Sequence, residues 1–196
     1  MKKRGAAAIV GVVAAGSIGL VPVALSGAAA ADPTVITVTT TSQAIGGAGC
    51  SLGEAILAAN HDATVVPDPI GNGAVIDTGC AAGSGADLIE LQPGATYSMA
   101  NVVDDDDNYT GPTATPLVTT SIIIEGRGAV LTHTGTAALR AFAVGPTGHL
   151  DLREVHVRNF LAEGGSGRHG GGGGLGAGGA IATQARRTEP HTKEAQ

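Results

Sequence analysis

Aliphatic and β-branched residues occur along the chain in short runs, and glycine, proline or polar residues separate each run from the next. Runs of this length and composition predict β-strands, and the residues between them predict turns. The predicted strands lie at residues 35–39, 88–91, 96–99, 122–124 and 142–144. The chain is therefore expected to consist mainly of short strands.

One segment has the periodicity of an amphipathic helix. Its apolar residues stand at positions i, i+3, i+4 and i+7 and are Leu52, Ala55, Ile56 and Ala59. Ser51 precedes this stripe and Glu54 follows three residues later, which is the spacing of a capping box. A helix this short is unstable in isolation, so its apolar face is expected to cover an open apolar surface.

A pattern with a period of 28 residues repeats in the second half of the chain. Residues 122–125 (I-x-I-E) precede an A-x-L at 129–131, and residues 150–153 (L-x-L-R) precede a V-x-V at 155–157. Such a period indicates one supersecondary unit per repeat, stacked so that aliphatic rows form a continuous core. The predicted fold class is all-β, a right-handed parallel β-helix with few rungs and an amino-terminal capping helix.

Two segments between the predicted strands favour loops. Residues 60–86 are rich in glycine, proline and aspartate, and residues 104–115 are mostly polar.

The first 31 residues are expected to be a signal peptide. Basic residues at 2–4 precede an apolar run that reaches Leu25 and ends in small residues at 28–31. The protein is therefore predicted to be secreted or held at the cell surface. An uncleaved membrane anchor is the alternative, because a run of about 20 apolar residues can cross a bilayer. No second hydrophobic span follows, so no membrane span is expected after cleavage.

Charge excludes some classes of partner. Removal of the signal would leave eight basic residues against 17 acidic ones, a net formal charge of −9. Lys193 would be the only remaining lysine. Nucleic acid and anionic membrane surfaces both select basic patches, so neither is an expected partner. Aromatic residues make up 2% of the chain. The core is therefore expected to be thin and aliphatic, which suits a solenoid.

Cys50 and Cys80 are the two cysteines of the chain. An even count in an exported protein favours a disulfide. Metal binding is the alternative, but the pair lacks the C-x-x-C spacing and the paired histidines of a zinc site.

Residues 50–60 read C-S-L-G-E-A-I-L-A-A-N, and this segment resembles the CSLREA-type amino-terminal module of exported bacterial parallel β-helix proteins. Further similarity in order and spacing extends the resemblance from residue 34 to about residue 181, through segments 85–91, 94–97, 111–112, 122–129, 150–152 and 178–181. The resemblance implies that the helix plugs the first coil of a solenoid. Gly53 departs from the family, in which arginine is usual at this position.

The carboxyl end departs from the family pattern. Residues 183–196 are polar, charged and without periodicity, where the resemblance implies further rungs. The sequence thus divides into a signal peptide (1–31), a CSLREA-type cap with the first β-helix rungs (32–182) and a non-family tail (183–196). Either the chain is a shortened or frame-shifted family member, or the tail is naturally disordered.

The resemblance favours a structural, adhesive or carbohydrate-binding role, with a polysaccharide or cell-surface glycan as partner. A calcium-dependent polysaccharide lyase of pectate-lyase-like type is the alternative, and a truncated inactive product is the second. The sequence establishes no catalytic residue and no cofactor. The candidates are Arg153 and Arg127 as bases, and Asp104, Asp105, Asp106 and Asp107 as calcium ligands; four adjacent acids also fit a solvated loop.

Overall fold

The computed structural model describes residues 33–69, 73–106, 111–163 and 179–183. Within these ranges the chain is mostly sheet with one short helix, which agrees with the predicted all-β class. The elements in chain order are β1 (Val35–Thr37), α1 (Leu52–His61), β2 (Val65–Pro67), β3 (Val75–Asp77), β4 (Ala86–Glu90), β5 (Thr96–Met99), β6 (Asp104–Asp106), β7 (Gly111–Thr113), β8 (Ser121–His133), β9 (Phe142–Val144), β10 (His149–Arg158) and β11 (Ile181–Thr183). The predicted signal peptide and residues 184–196 of the predicted tail lie outside the described residues.

The largest sheet is parallel, and its strands follow one another in the order β1, β4, β8 and β10. This stack is called the first ladder. Ile36, Ile89, Ile124 and Leu152 occupy equivalent positions in it, and the first three are fully buried. Because alternate residues of a strand face opposite sides of the sheet, this aliphatic row forms one wall of the core.

A second ladder is formed by β5 and by the carboxyl-terminal halves of β8 and β10. Tyr97, Leu131 and Val157 lie in register along its inner side. The same register places Leu150 against Ile122, so the 28-residue repeat is confirmed as a stacking repeat. Its period therefore counts the residues needed to return to the same place in the stack.

A third set of parallel contacts completes the described pairing between successive repeats. β11 pairs with β9, and isolated parallel bridges join Thr113 to Arg140 and Val118 to Val144. Phe142 is fully buried on the inner side of this set. The core is thus lined by parallel strands in three places, although its walls are short.

Strand β8 contributes to two ladders because it bends in the middle. Arg127 and Gly128 have positive φ angles of 47° and 83°, a region that glycine tolerates best. A side chain at Gly126 would bring its Cβ within 2.6 Å of the Glu154 carbonyl oxygen in the next strand. Glycine at this position therefore allows β10 to approach β8 closely at the bend.

The amino end of α1 is held by a buried carboxylate. Ser51 Oγ accepts a hydrogen bond from the Glu54 N–H at 3.2 Å, and Glu54 Oε2 accepts one from the Ser51 N–H at 2.9 Å. Glu54 Oε1 also accepts the Gly46 N–H at 2.8 Å, and the residue is fully buried. Glu54 thus closes the expected capping box and fixes the preceding loop with its second oxygen.

The carboxyl end of α1 is held by an amide. Asn60 Nδ2 donates to the Leu117 carbonyl at 2.7 Å, and Asn60 Oδ1 accepts the Thr119 N–H at 2.9 Å. These bonds join the helix to a segment 57 to 59 residues further along the chain. Both ends of α1 are therefore attached by side chains to backbone groups of the surrounding strands and loops.

Between these two attachments, the helix packs against the first strands of the stack. Residues 52–59 are buried, and α1 contacts β1, β2 and β4. Gly53 is among the buried residues, and a Cβ there would lie 2.7 Å from Ile45 Cδ1. The space that a longer side chain would need at position 53 is therefore occupied by Ile45.

Cys50 and Cys80 form a disulfide, as predicted. The bond joins the residue before the α1 cap to the segment after β3, and 30 residues separate the two cysteines. Closing a loop of this length stabilises the folded chain by about 3 to 4 kcal/mol in the loop-closure description.

Both predicted loops contain regular structure, so those predictions were incomplete. β2 and β3 form an antiparallel pair within 60–86, and β6 and β7 form another within 104–115. Thr183, the first residue of the predicted tail, pairs with Val144 as the end of β11. Strands of three residues cannot be predicted from periodicity, because three residues are too few to establish alternation.

Tyr97 gives the fold a testable dependence on alkaline pH. Its side chain is 1% exposed and its hydroxyl accepts the Gln92 N–H at 3.0 Å. Burial raises the pKa of Tyr97 above its ordinary value of 10.0, and the bond from Gln92 acts in the opposite direction. The unfolded chain therefore releases this proton at a lower pH than the folded chain does.

We expect the free energy of unfolding to fall as pH rises above about 10, and the contribution to be fully present below that pH. Urea denaturation at a series of alkaline pH values measures it. Tyr97→Phe should flatten the dependence, with Tyr109→Phe as the control for loss of a tyrosine. An unchanged slope in Tyr97→Phe would show that another group causes the effect.

Candidate functional site

The outward side of the first ladder carries a row of charged residues. Glu90, Glu125 and Arg153 lie in register on β4, β8 and β10, and Thr37 occupies the equivalent position on β1. Arg127 and Asp151 lie beside them. The name "charged row" is used below for Glu90, Glu125, Arg127, Asp151 and Arg153.

Each arginine of the charged row forms an ion pair with a neighbouring carboxylate. Arg127 on β8 forms an ion pair with Glu90 on the neighbouring strand β4. Arg153 donates to Asp151 Oδ2 from both Nη2 and Nε, at 2.8 and 2.9 Å. The Arg127 and Arg153 side chains are about half exposed, at 47% and 51%. The row therefore offers solvent both charge signs on a nearly neutral surface.

The ion pairs affect whether Arg127 and Arg153 could act as catalytic bases. A lyase base must point into a cleft where it can reach a substrate proton. Here both guanidinium groups donate to carboxylates on an open strand surface. The structure thus brings Arg127 and Arg153 into one surface, in which each has a carboxylate partner.

A row of polar side chains, two hydroxyl-bearing and one basic, follows the second ladder. Ser98, Thr132 and Arg158 lie in register on its outer side, and Asn159 Nδ2 donates to Thr132 Oγ1 at 3.2 Å. The sequence did not show which residues would be neighbours in this row. The alternation of polar residues in 155–158 was a usable signal for it, but the partners on the other strands depend on the register.

The acidic run at 104–107 is divided between strand β6 and residues outside the described ranges. Asp104 Oδ2 accepts the Leu117 N–H at 2.9 Å, so this carboxylate supports the local backbone. Asp105 and Asp106 continue β6, and Asp107 lies outside the described residues. Within the described ranges no group of three acidic, histidine or cysteine side chains is placed to hold a metal ion. Calcium binding by residues 104–107 stays a prediction.

A cleft of about 230 Å³ lies between β9, β10 and β11. Val144, Leu150 and Ile181 supply apolar walls, and His149 and Thr183 supply polar groups. Ligand pockets usually measure roughly 300 to 1,000 Å³. This cleft is smaller and lies beside the last strands of the stack, so the outer rows are the better candidate site.

Two buried polar groups lie apart from both outer rows. Asp87 is 1% exposed, and its Oδ1 accepts the Ser84 N–H at 2.8 Å, whereas its Oδ2 has no hydrogen-bond partner. His133 stacks on Phe160 with ring centroids 5.8 Å apart. Asp87 lies in register with Ile122, and sequence analysis missed it as an inward-facing residue.

Comparison of the chain with protein-family models, with curated proteins and with solved structures finds no match. The resemblance to CSLREA-type proteins therefore remains a prediction. In the part of the chain that the structure describes, no helix is long and apolar enough to cross a membrane.

The ion pairs of the charged row should contribute little to stability. Exposed pairs are screened by solvent and typically contribute about 0.2 to 1 kcal/mol. We expect Arg127→Ala and Arg153→Ala each to lower the free energy of unfolding by no more than about 1 kcal/mol, as measured by urea denaturation. A loss several times larger would mean that the charged row is part of the fold rather than a surface available for binding.

Proposed function

We propose that this chain is an exported parallel β-helix module of the CSLREA type that binds an extended glycan along its outer rows. The three sets of parallel strands support this proposal, because they are what the walls of a short β-helix would provide. The cap position of α1 and the Cys50–Cys80 disulfide also support it, since disulfides persist mainly in exported proteins.

The observation that carries the binding role is the register of the charged row. Strands in a sheet lie about 4.8 Å apart, so Glu90, Glu125 and Arg153 repeat at that interval across three strands. A polymer lying across the strands would meet a charged or hydrogen-bonding side chain at each step. A regular surface of this kind fits an extended, repeating ligand better than a compact one.

The composition of the chain indicates how such a ligand would be held. There is no tryptophan, and there are two phenylalanines and two tyrosines, so stacking on aromatic rings contributes little. Carboxylates accept hydrogen bonds from sugar hydroxyls, and guanidinium groups donate to sugar oxygens. We infer recognition by hydrogen bonds to a hydroxyl-rich glycan, with a structural or adhesive role at the cell surface.

The lyase alternative has weaker support. Its candidate bases, Arg127 and Arg153, are paired with carboxylates, and Asp104 is hydrogen bonded to the backbone at Leu117. It makes a distinct chemical prediction, however. A lyase would release unsaturated uronide products from a polyuronate when calcium is added.

The test is to measure binding of the disulfide-bonded protein to a panel of soluble polysaccharides by affinity electrophoresis. We expect retardation by at least one glycan, and a loss of affinity of about tenfold in the double variant Glu125→Ala/Arg153→Ala, equivalent to about 1.4 kcal/mol. The exposed Glu163→Ala serves as the matched control and should bind normally.

Three outcomes would contradict the proposal. Binding of no glycan in the panel would remove the carbohydrate role. Equal binding by the double variant and the control would place the site elsewhere. Calcium-dependent release of unsaturated uronides, detected by their ultraviolet absorbance, would show that the protein is a lyase and not only a binding protein.

A further inference from the structure

The last strand of the first ladder differs from the strand before it in how well its inner residues are covered. Ile122 and Ile124 of β8 are fully buried, at 0% exposed. Leu150 and Leu152 stand opposite them on β10, pack against the same core and are only partly buried. The apolar row of the core therefore reaches solvent at β10.

The outer edge of β10 is also long. β10 extends over ten residues and pairs with β8 on one side, and among the described residues it has no strand on its other side. Such an edge presents backbone N–H and C=O groups that can pair with another chain. Partly exposed leucines beside this edge make it a surface for strand addition.

The opposite end of the first ladder is closed. β1 has three residues, and its core residue Ile36 is fully buried. The helix α1 contacts both β1 and β4 there. β1 offers β10 of another molecule only three residues, beside a core residue that is already buried. Contact between two β10 edges is the better-matched solution, and it is symmetric.

The order of charges on β10 is compatible with that contact. Asp151, Leu152 and Arg153 are consecutive, with the two charged side chains on the outer side and the leucine on the inner side. In an antiparallel pair of two β10 strands with its two-fold axis at Leu152, Asp151 of each copy stands opposite Arg153 of the other. The Leu152 side chains of the two copies meet at the centre, so the charges at 151 and 153 and the apolar side chain between them are complementary.

We propose that two copies of this chain associate through their β10 edges, in antiparallel register about Leu152, to form a two-fold symmetric dimer. Two-fold contacts use the same patch on both subunits, and a patch that is complementary to itself satisfies that requirement. The first ladder then continues across the interface, and the outer charged row of one copy runs into that of the other. The closed α1 ends face away and limit the assembly to two copies.

The test uses charge reversal and mixing of variants, with mass measured by sedimentation equilibrium. Asp151→Arg places positive charges at both 151 and 153 of each β10, and Arg153→Asp places negative charges at both positions. Each single variant should be at least tenfold weaker in self-association than the natural protein. A one-to-one mixture should form a mixed dimer, because every facing pair then has opposite charges. The double variant Asp151→Arg/Arg153→Asp should recover self-association.

Arg158→Asp is the matched control. It reverses a charge on the same strand beyond Glu154, where φ is 50° and the pairing with β8 shifts register, and it should leave the dimer intact. Circular dichroism melts of all variants establish that they are folded. A natural protein that is monomeric at every concentration tested would overturn the proposal and would indicate that another segment of the chain covers β10. Dimers that persist in both single variants would also overturn it, because the interface would then lie elsewhere.

Discussion

The covering of the first strands by α1 is the constraint on which the rest of the described fold depends. A stack of parallel strands buries each inner row against its neighbours, so the first strand needs a cover that another strand does not supply. α1 provides this cover with a buried face, and two polar side chains fix its position. Glu54 holds the amino end through two backbone N–H groups, and Asn60 holds the carboxyl end through backbone groups at Leu117 and Thr119.

The thin core has consequences for the surface. Its inner rows are aliphatic, with Tyr97 and Phe142 as the large aromatic side chains that are fully buried in the described part of the chain. The strand register that aligns these rows also aligns the outward residues, so charged and hydroxyl side chains repeat from strand to strand. The binding proposal and the dimer proposal both follow from that one register. The first uses the outer side of the ladder, and the second uses its last edge.

The features that sequence could predict are those with a local or periodic cause. The capping box of Ser51 and Glu54 depends on a three-residue spacing, and the 28-residue repeat predicted which residues of β8 and β10 would stand opposite each other. The antiparallel pair of β6 and β7 could not be found in that way, because short strands carry little periodicity. The inward position of Asp87 could not be found either. The pairing of Arg127 with Glu90 was also hidden, since it depends on the bend at Gly126–Gly128 and on contact between strands 37 residues apart.

If Glu54 fixes the helix that covers the stack, Glu54→Ala should destabilise the protein, and urea denaturation measures the loss. The substitution leaves the buried Ser51 N–H without its acceptor, and an unsatisfied buried donor costs roughly 1 to 3 kcal/mol. The Gly46 N–H also loses its acceptor, but Gly46 is exposed and water can replace that bond. We expect a loss of about 1 to 3 kcal/mol in the free energy of unfolding, against a change within about 0.5 kcal/mol for the exposed control Glu163→Ala. A Glu54→Ala protein as stable as that control would show that Glu54 does not hold the helix in place.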